Sequence, residues 1–196
     1  MARKWKKDNE FRPDRQKIDL ARRLTLTNVQ RQRFAKWGLY LAVILLCLVV
    51  QDVIMSQISI LGATTDLIPC VLLLIAVLEG TETGTLFLLF ASTFYYFSGS
   101  APGPYVIALI TFLGAGAALL RQAFLHRNKV SILLCAGLAL AGYEIGLFVT
   151  GVFLELTHWG RLPAFALTAG YSFLVMIPLY NVIYKIGVIG GSTWKE

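Results

Sequence analysis

The sequence predicts an all-α, polytopic membrane protein with six transmembrane helices. Three observations predict it. Of 196 residues, 57% are hydrophobic and only 15% are charged, against roughly 25% charged in a soluble globular domain. After Lys36 the chain is a succession of apolar runs, on the scale of the about 20 residues that a helix needs to cross a bilayer. The charge is also lopsided: 12 of the 18 Lys and Arg lie in the first 36 residues, so the net charge of +7 belongs to one arm. A basic arm ahead of a first span follows the positive-inside rule. Nucleic-acid binding needs a folded basic face with aromatic platforms, and none is legible.

Three segments follow: a basic cytoplasmic arm (1–36), a six-helix transmembrane domain (37–187) and a short cytoplasmic tail (188–196). In the arm, Leu20 and Leu24 share a helical face, and Asp19 precedes Arg23 by four residues, the stabilising order for an ion pair. Arg22, Arg23, Arg31, Arg33 and Lys36 would then meet anionic lipid at about 1 kcal/mol per basic residue. The alternative is a solvated tail that only sets topology. The first span starts near residue 37 and is long, unlike a cleavable signal peptide.

Span one is Trp37 to Met55, with Trp37 and Tyr40 as interfacial aromatics. Span two, Gly62 to Leu78, and span three, Gly84 to Phe97, are short. A Pro/Gly-rich turn at 98–104 precedes span four, Tyr105 to Phe124. Span five is Val130 to Leu156 and span six is Pro163 to Lys185. With the N-terminus inside, six spans leave only Arg161 among the Lys and Arg on the outer side. Five spans strand the tail lysines outside, so the six-span count fits the charge rule best.

Polar residues interrupt this apolar chain at few places. Gln51, Gly62 and Asp66 mark an outer connector, with Asp66 a candidate N-cap for the helix that Leu67 opens. Glu79, Gly80, Glu82 and Gly84 mark an inner turn, where Gly80 and Gly84 permit a tight reversal. Glu144 lies near the middle of span five, and a carboxylate at that depth costs roughly 2.5–3.5 kcal/mol. Glu155 lies three helical turns further on and shares its face. Gly142 and Gly146 frame Glu144 as a GxxxG pair, and Gly114 with Gly116 forms a second small-residue surface on span four. Both read as helix-packing or partner-binding faces. With no intramembrane Lys, Arg or His to serve Glu144, packing is favoured over proton or solute handling.

Cys47, Cys70 and Cys135 sit in apolar runs without ligand spacing and read as small hydrophobes. His126 and His158 fall on opposite sides of the membrane and cannot share a metal. No catalytic constellation, metal site or cofactor motif is expected, and the chain reads as non-enzymatic.

The order of several short motifs resembles a known family. Val50-Gln51 closes span one. Ile58-Ser59-Ile60-Leu61-Gly62-Ala63 precedes Asp66-Leu67. Glu79-Gly80-Thr81-Glu82-Thr83-Gly84, Gly103-Pro104-Tyr105, Tyr143-Glu144, Tyr171-Ser172 and Pro178-Leu179-Tyr180 follow in order. Over about residues 37–187 the chain resembles the rod shape-determining protein MreD family of the bacterial cell-elongation machinery. Many relatives end a Gly-rich third span in an Asp, whereas residues 87–97 here hold no acidic residue. The resemblance implies a multi-pass plasma-membrane protein with both termini cytoplasmic. It implies binding to an MreC-like membrane protein, indirect association with the elongation wall synthases and the actin-like MreB, and a fold similar to the substrate-binding subunits of energy-coupling-factor transporters. A vitamin-binding transporter subunit is the alternative function. An intramembrane enzyme using Glu144 or Asp66 is the least favoured.

Overall fold

The computed structural model describes residues 28–57, 63–124 and 128–189. Arg22, Arg23, Gly62, His126 and the tail from residue 190 lie outside the described residues. The described chain is helical, without strands. Its helices are α1 (Asn28–Val53), α2 (Leu67–Glu79), α3 (Thr81–Phe97), α4 (Tyr105–Phe124), α5 (Lys129–Phe153) and α6 (Leu162–Gly187). Single 3₁₀ turns at Met55–Gln57 and Trp159–Arg161 follow α1 and precede α6.

Among the described residues, four stretches are long and apolar enough to cross a membrane: Arg31–Val53, Tyr105–Ala123, Lys129–Phe153 and Trp159–Gly187. The expected second and third spans are shorter. At 1.5 Å per residue, α2 is about 20 Å long, well under the about 30 Å of a hydrocarbon core. The expected border between arm and first span also shifts. Arg31, Arg33 and Lys36 belong to α1, which begins at Asn28. The straight-chain residues between Gln30 and Lys36 are good helix formers and carry the helix through the border.

The short helix is the centre of the molecule. All thirteen residues of α2 are buried, and it packs against every other helix. Leu-Ile-Pro-Cys-Val-Leu-Leu-Leu-Ile-Ala-Val-Leu is apolar on all sides, as a helix enclosed on all sides should be. Around it the others form a ring in the order α1, α3, α4, α5, α6. The α1–α3 junction is aromatic, with the Trp37 and Phe87 ring centroids 4.9 Å apart. Outside, the ring exposes Leu46, Phe90, Phe112, Leu138 and Leu174. An apolar surface that continuous suits lipid rather than water.

Two glycines make the packing round α2 possible. Gly80 reverses the chain between α2 and α3 in one residue, at φ 88°, a backbone conformation that costs other residues dearly. Gly84 lies inside α3, beyond the turn where the sequence reading put it. A Cβ there would come within 2.8 Å of the Ala76 carbonyl oxygen, so its task is the close approach of α3 to α2. At the far end of α5 the helix stops at Phe153, and Glu155 takes a left-handed φ of 57°. That turn removes Glu155 from the helical face it was expected to share with Glu144.

Candidate functional site

A helix that ends inside the hydrocarbon has no water for its free N–H and C=O groups, so protein must satisfy them. The ring helices do this for α2 at both ends, and the polar residues of the chain gather there.

At the Glu79 end, Lys36 Nζ lies 2.7 Å from each carboxylate oxygen of Glu79. The Tyr40 hydroxyl donates to Oε1 at 2.6 Å. Lys36 and Glu79 are buried and Tyr40 is inaccessible. Tyr40 therefore serves as a buried donor, where the sequence suggested an interfacial anchor, and Glu79, placed at the inner turn by the sequence, is buried. Arg121, near the end of α4, is also buried and donates to the carbonyl of Val77. A guanidinium at a helix C-terminus is favoured by the helix dipole as well as by the hydrogen bond. Thr83 Oγ1 donates to the carbonyl of Glu79 and the Gly80 N–H to that of Ala76.

At the opposite end, Asp66 holds the N-cap position of α2, yet its side chain caps nothing. The cap comes from α1: Gln51 Oε1 accepts the Ile68 N–H at 3.0 Å. Pro69 has no N–H to satisfy. The Asp66 N–H donates to Ser172 Oγ on α6 at 3.0 Å, and the Cys70 thiol donates to the Ser172 carbonyl. With its capping task taken over by Gln51, the Asp66 carboxyl is free to meet Glu144, beside which it lines one cavity and whose electrostatic field it shares. The partner that the sequence denied to Glu144 is thus a second carboxyl, 78 positions earlier in the chain. Glu144 is 3% exposed, and its Oε1 has no hydrogen-bond partner among the described residues.

Comparisons with family models, curated proteins and solved structures find no match.

The remaining candidates divide cleanly by environment. A Cβ on Gly142 would touch Leu113 at 3.2 Å, and one on Gly146 would reach Leu109 at 2.8 Å. The GxxxG pair therefore seats α5 on α4 of the same chain. Gly114 faces Leu88, Ala76 and Leu73, whereas Gly116 meets nothing within 4 Å. Gly116 borders a shallow apolar groove between α4 and α5 with Phe112, Leu120 and Leu138. Arg31 and Arg33 are exposed on the first turns of α1.

A cavity of about 680 Å³ opens beside the carboxyl pair, lined by Thr64, Asp66, Glu144, Arg161, Phe165 and Thr168 among others. It exists because no residue of α6 before Ser172 is buried: the first half of that helix stands away from α2. Behind Glu144 and Phe165, a second, apolar cavity of about 420 Å³ lies between α5 and α6, bordered by Ala141, Ile145, Phe148 and Ala169. The arrangement can hold a hydrogen-bond donor or cation next to an apolar group. The functional residues that sequence reading missed are Tyr40, Arg121 and Ser172 in their capping and clamping roles. Each is an ordinary residue of an apolar span, so the only available signal was its polarity.

Proposed function

We propose that this chain is a non-enzymatic, multi-pass component of the bacterial cell-elongation complex, of the MreD type. In this reading it crosses the plasma membrane six times, with both termini cytoplasmic. It binds an MreC-like membrane protein and through it helps organise the peptidoglycan synthases and MreB that set rod shape. The observation that supports the reading is where the resemblance motifs fall. Gln51, Asp66, Glu79, Gly80, Glu144 and Ser172 come from five separate motifs, and all of them lie at the two ends of α2. Residues as far apart as Gln51 and Ser172 form the joints of one block, which is what a scaffold needs.

Charge supports the orientation. Among the described residues, Arg31, Arg33, Lys36, Arg121, Lys129 and Lys185 lie towards the Glu79 end of the bundle, and only Arg161 lies at the other. The Glu79 end is then cytoplasmic. The short α2 is counted as a span because the ring screens it from lipid, so that neither its length nor its ends face hydrocarbon. At 17 residues, α3 is about 26 Å long, close to the thickness of a hydrocarbon core, and is counted on that length.

Affinity capture of the tagged full chain from a mild detergent extract of its own host tests this reading. Stoichiometric recovery of a single-span, MreC-like protein is expected. Recovery of an energy-coupling ATPase module instead would overturn it in favour of a solute-binding transporter subunit. The cavity beside Asp66 and Glu144 is the observation that favours that second reading, since it opens at the end that would face outward.

A further inference from the structure

The Asp66–Glu144 cavity is built as a binding site. Two carboxyl groups, those of Asp66 and Glu144, line its wall. One of them, Glu144, is 97% withdrawn from solvent yet leaves Oε1 without a partner. A buried, unpaired acceptor costs about 1–3 kcal/mol, more if charged, and native proteins keep few of them. Tyr143, the other buried group without a partner, does not line the cavity, whereas Glu144 lines both cavities. At the mouth stands Arg161, exposed and in no ion pair among the described residues.

The three groups differ in exposure: the Asp66–Glu144 carboxyl pair on the wall with Glu144 buried, and the Arg161 guanidinium exposed. An anion would meet the carboxyls with repulsion, and a simple cation would pass the Arg161 charge on its way in. A zwitterion with its ammonium leading and its anionic group trailing satisfies all three. The neighbouring apolar cavity shares Glu144 and Phe165 with it, since both residues border both. It offers a hydrocarbon-compatible slot next to the polar one.

We propose that this cavity binds a phosphoethanolamine-type zwitterion, its ammonium taken by Asp66 and Glu144 and its phosphate by Arg161. Its source is an aminophospholipid whose chain occupies the α5–α6 slot, or a soluble phosphoethanolamine compound that leaves the slot empty. The inference goes beyond either functional reading above and depends on neither.

The test uses purified full-length protein, with native mass spectrometry for lipid occupancy and thermal unfolding in detergent for stabilisation. Phosphatidylethanolamine is compared with phosphatidylglycerol, which has the phosphate but no ammonium, and with free O-phosphoethanolamine. The expected result is at least about tenfold tighter binding of phosphatidylethanolamine than of phosphatidylglycerol, about 1.4 kcal/mol. Glu144→Gln, which keeps shape and removes the carboxyl, should abolish that preference, while Arg161→Gln should weaken both phospholipids. Stabilisation by free O-phosphoethanolamine equal to that by the lipid assigns the soluble source. Equal binding of the two phospholipids by the wild-type chain, with no effect of O-phosphoethanolamine, overturns the proposal. That comparison needs no variant, so it stands even if Glu144→Gln fails to fold.

Discussion

Lys36 and Glu79 lie 43 positions apart and close into a buried ion pair whose carboxylate also accepts from Tyr40. Such a pair is poor evidence of net stability, because desolvating both ions offsets their attraction. Breaking it is another matter. Glu79→Ala leaves a buried ammonium and a buried hydroxyl without an acceptor, and we expect a loss of about 3–5 kcal/mol. Lys36→Met combined with Glu79→Gln should cost clearly less than the sum of the two single changes. Unfolding of the three variants in detergent measures the coupling, and strict additivity would refute the pair. Asp66 teaches the complementary lesson. Its position before Leu67 announces an N-cap, but Gln51 occupies that role from another helix. Local sequence offered a local hydrogen bond, and a longer side chain from the ring took it.

At the scale of elements, small residues divide into those that let helices touch and those that do not. Gly84 brings the α3 backbone against Ala76, with 2.8 Å left to the carbonyl oxygen for any added Cβ. Backbone cannot swing aside as a side chain can. Gly84→Ala should destabilise the fold by about 1–3 kcal/mol. Gly116→Ala meets open space and gains helix propensity, so it should be neutral or stabilising by up to about 1 kcal/mol. A midpoint comparison of the two checks this, and equal effects would remove the close-approach argument. Between them stand Gly142 and Gly146, whose neighbours are the movable tips of Leu113 and Leu109. Leu at either position is expected to disturb the α4–α5 seam first, which a loss of thermal stability without any partner present would reveal.

At the scale of the whole molecule, α2 is fastened at its N-terminal end to α1, α5 and α6 and at its C-terminal end to α1, α3 and α4. Each ring helix therefore holds a polar contact at one end or the other, and the ring cannot loosen at one helix without exposing buried polar groups to hydrocarbon. The orientation of this block has a direct test. His158→Cys should react with a membrane-impermeant thiol reagent in intact cells, and Lys185→Cys should react only after permeabilisation. The native Cys47, Cys70 and Cys135 are buried and give little background. The reverse labelling pattern would invert the topology. Distance from the membrane centre protects these two positions from ambiguity, because each lies at a helix end.

Much of this architecture was legible in the chain itself. Apolar runs, a basic arm and the Gly80 break gave the helical class, and four of the six expected spans fall on helices long and apolar enough to cross a membrane, because hydrophobic length and turn chemistry are local properties; the other two fall on the shorter α2 and α3. The polar residues that matter were visible too, since Gln51, Asp66, Glu79 and Glu144 stand out against apolar surroundings. Their pairing was not visible. Lys36 read as part of a surface arm and Tyr40 as an interfacial aromatic, because their shared partner Glu79 is 39 to 43 positions away. The sequence by itself determined which segments are helical and which residues are too costly to leave unpaired in hydrocarbon. Only the tertiary structure decided that the shortest apolar run lies at the centre. A 13-residue helix cannot satisfy its own ends, so the surrounding helices must supply the hydrogen bonds, and which of them do so depends on their arrangement in space.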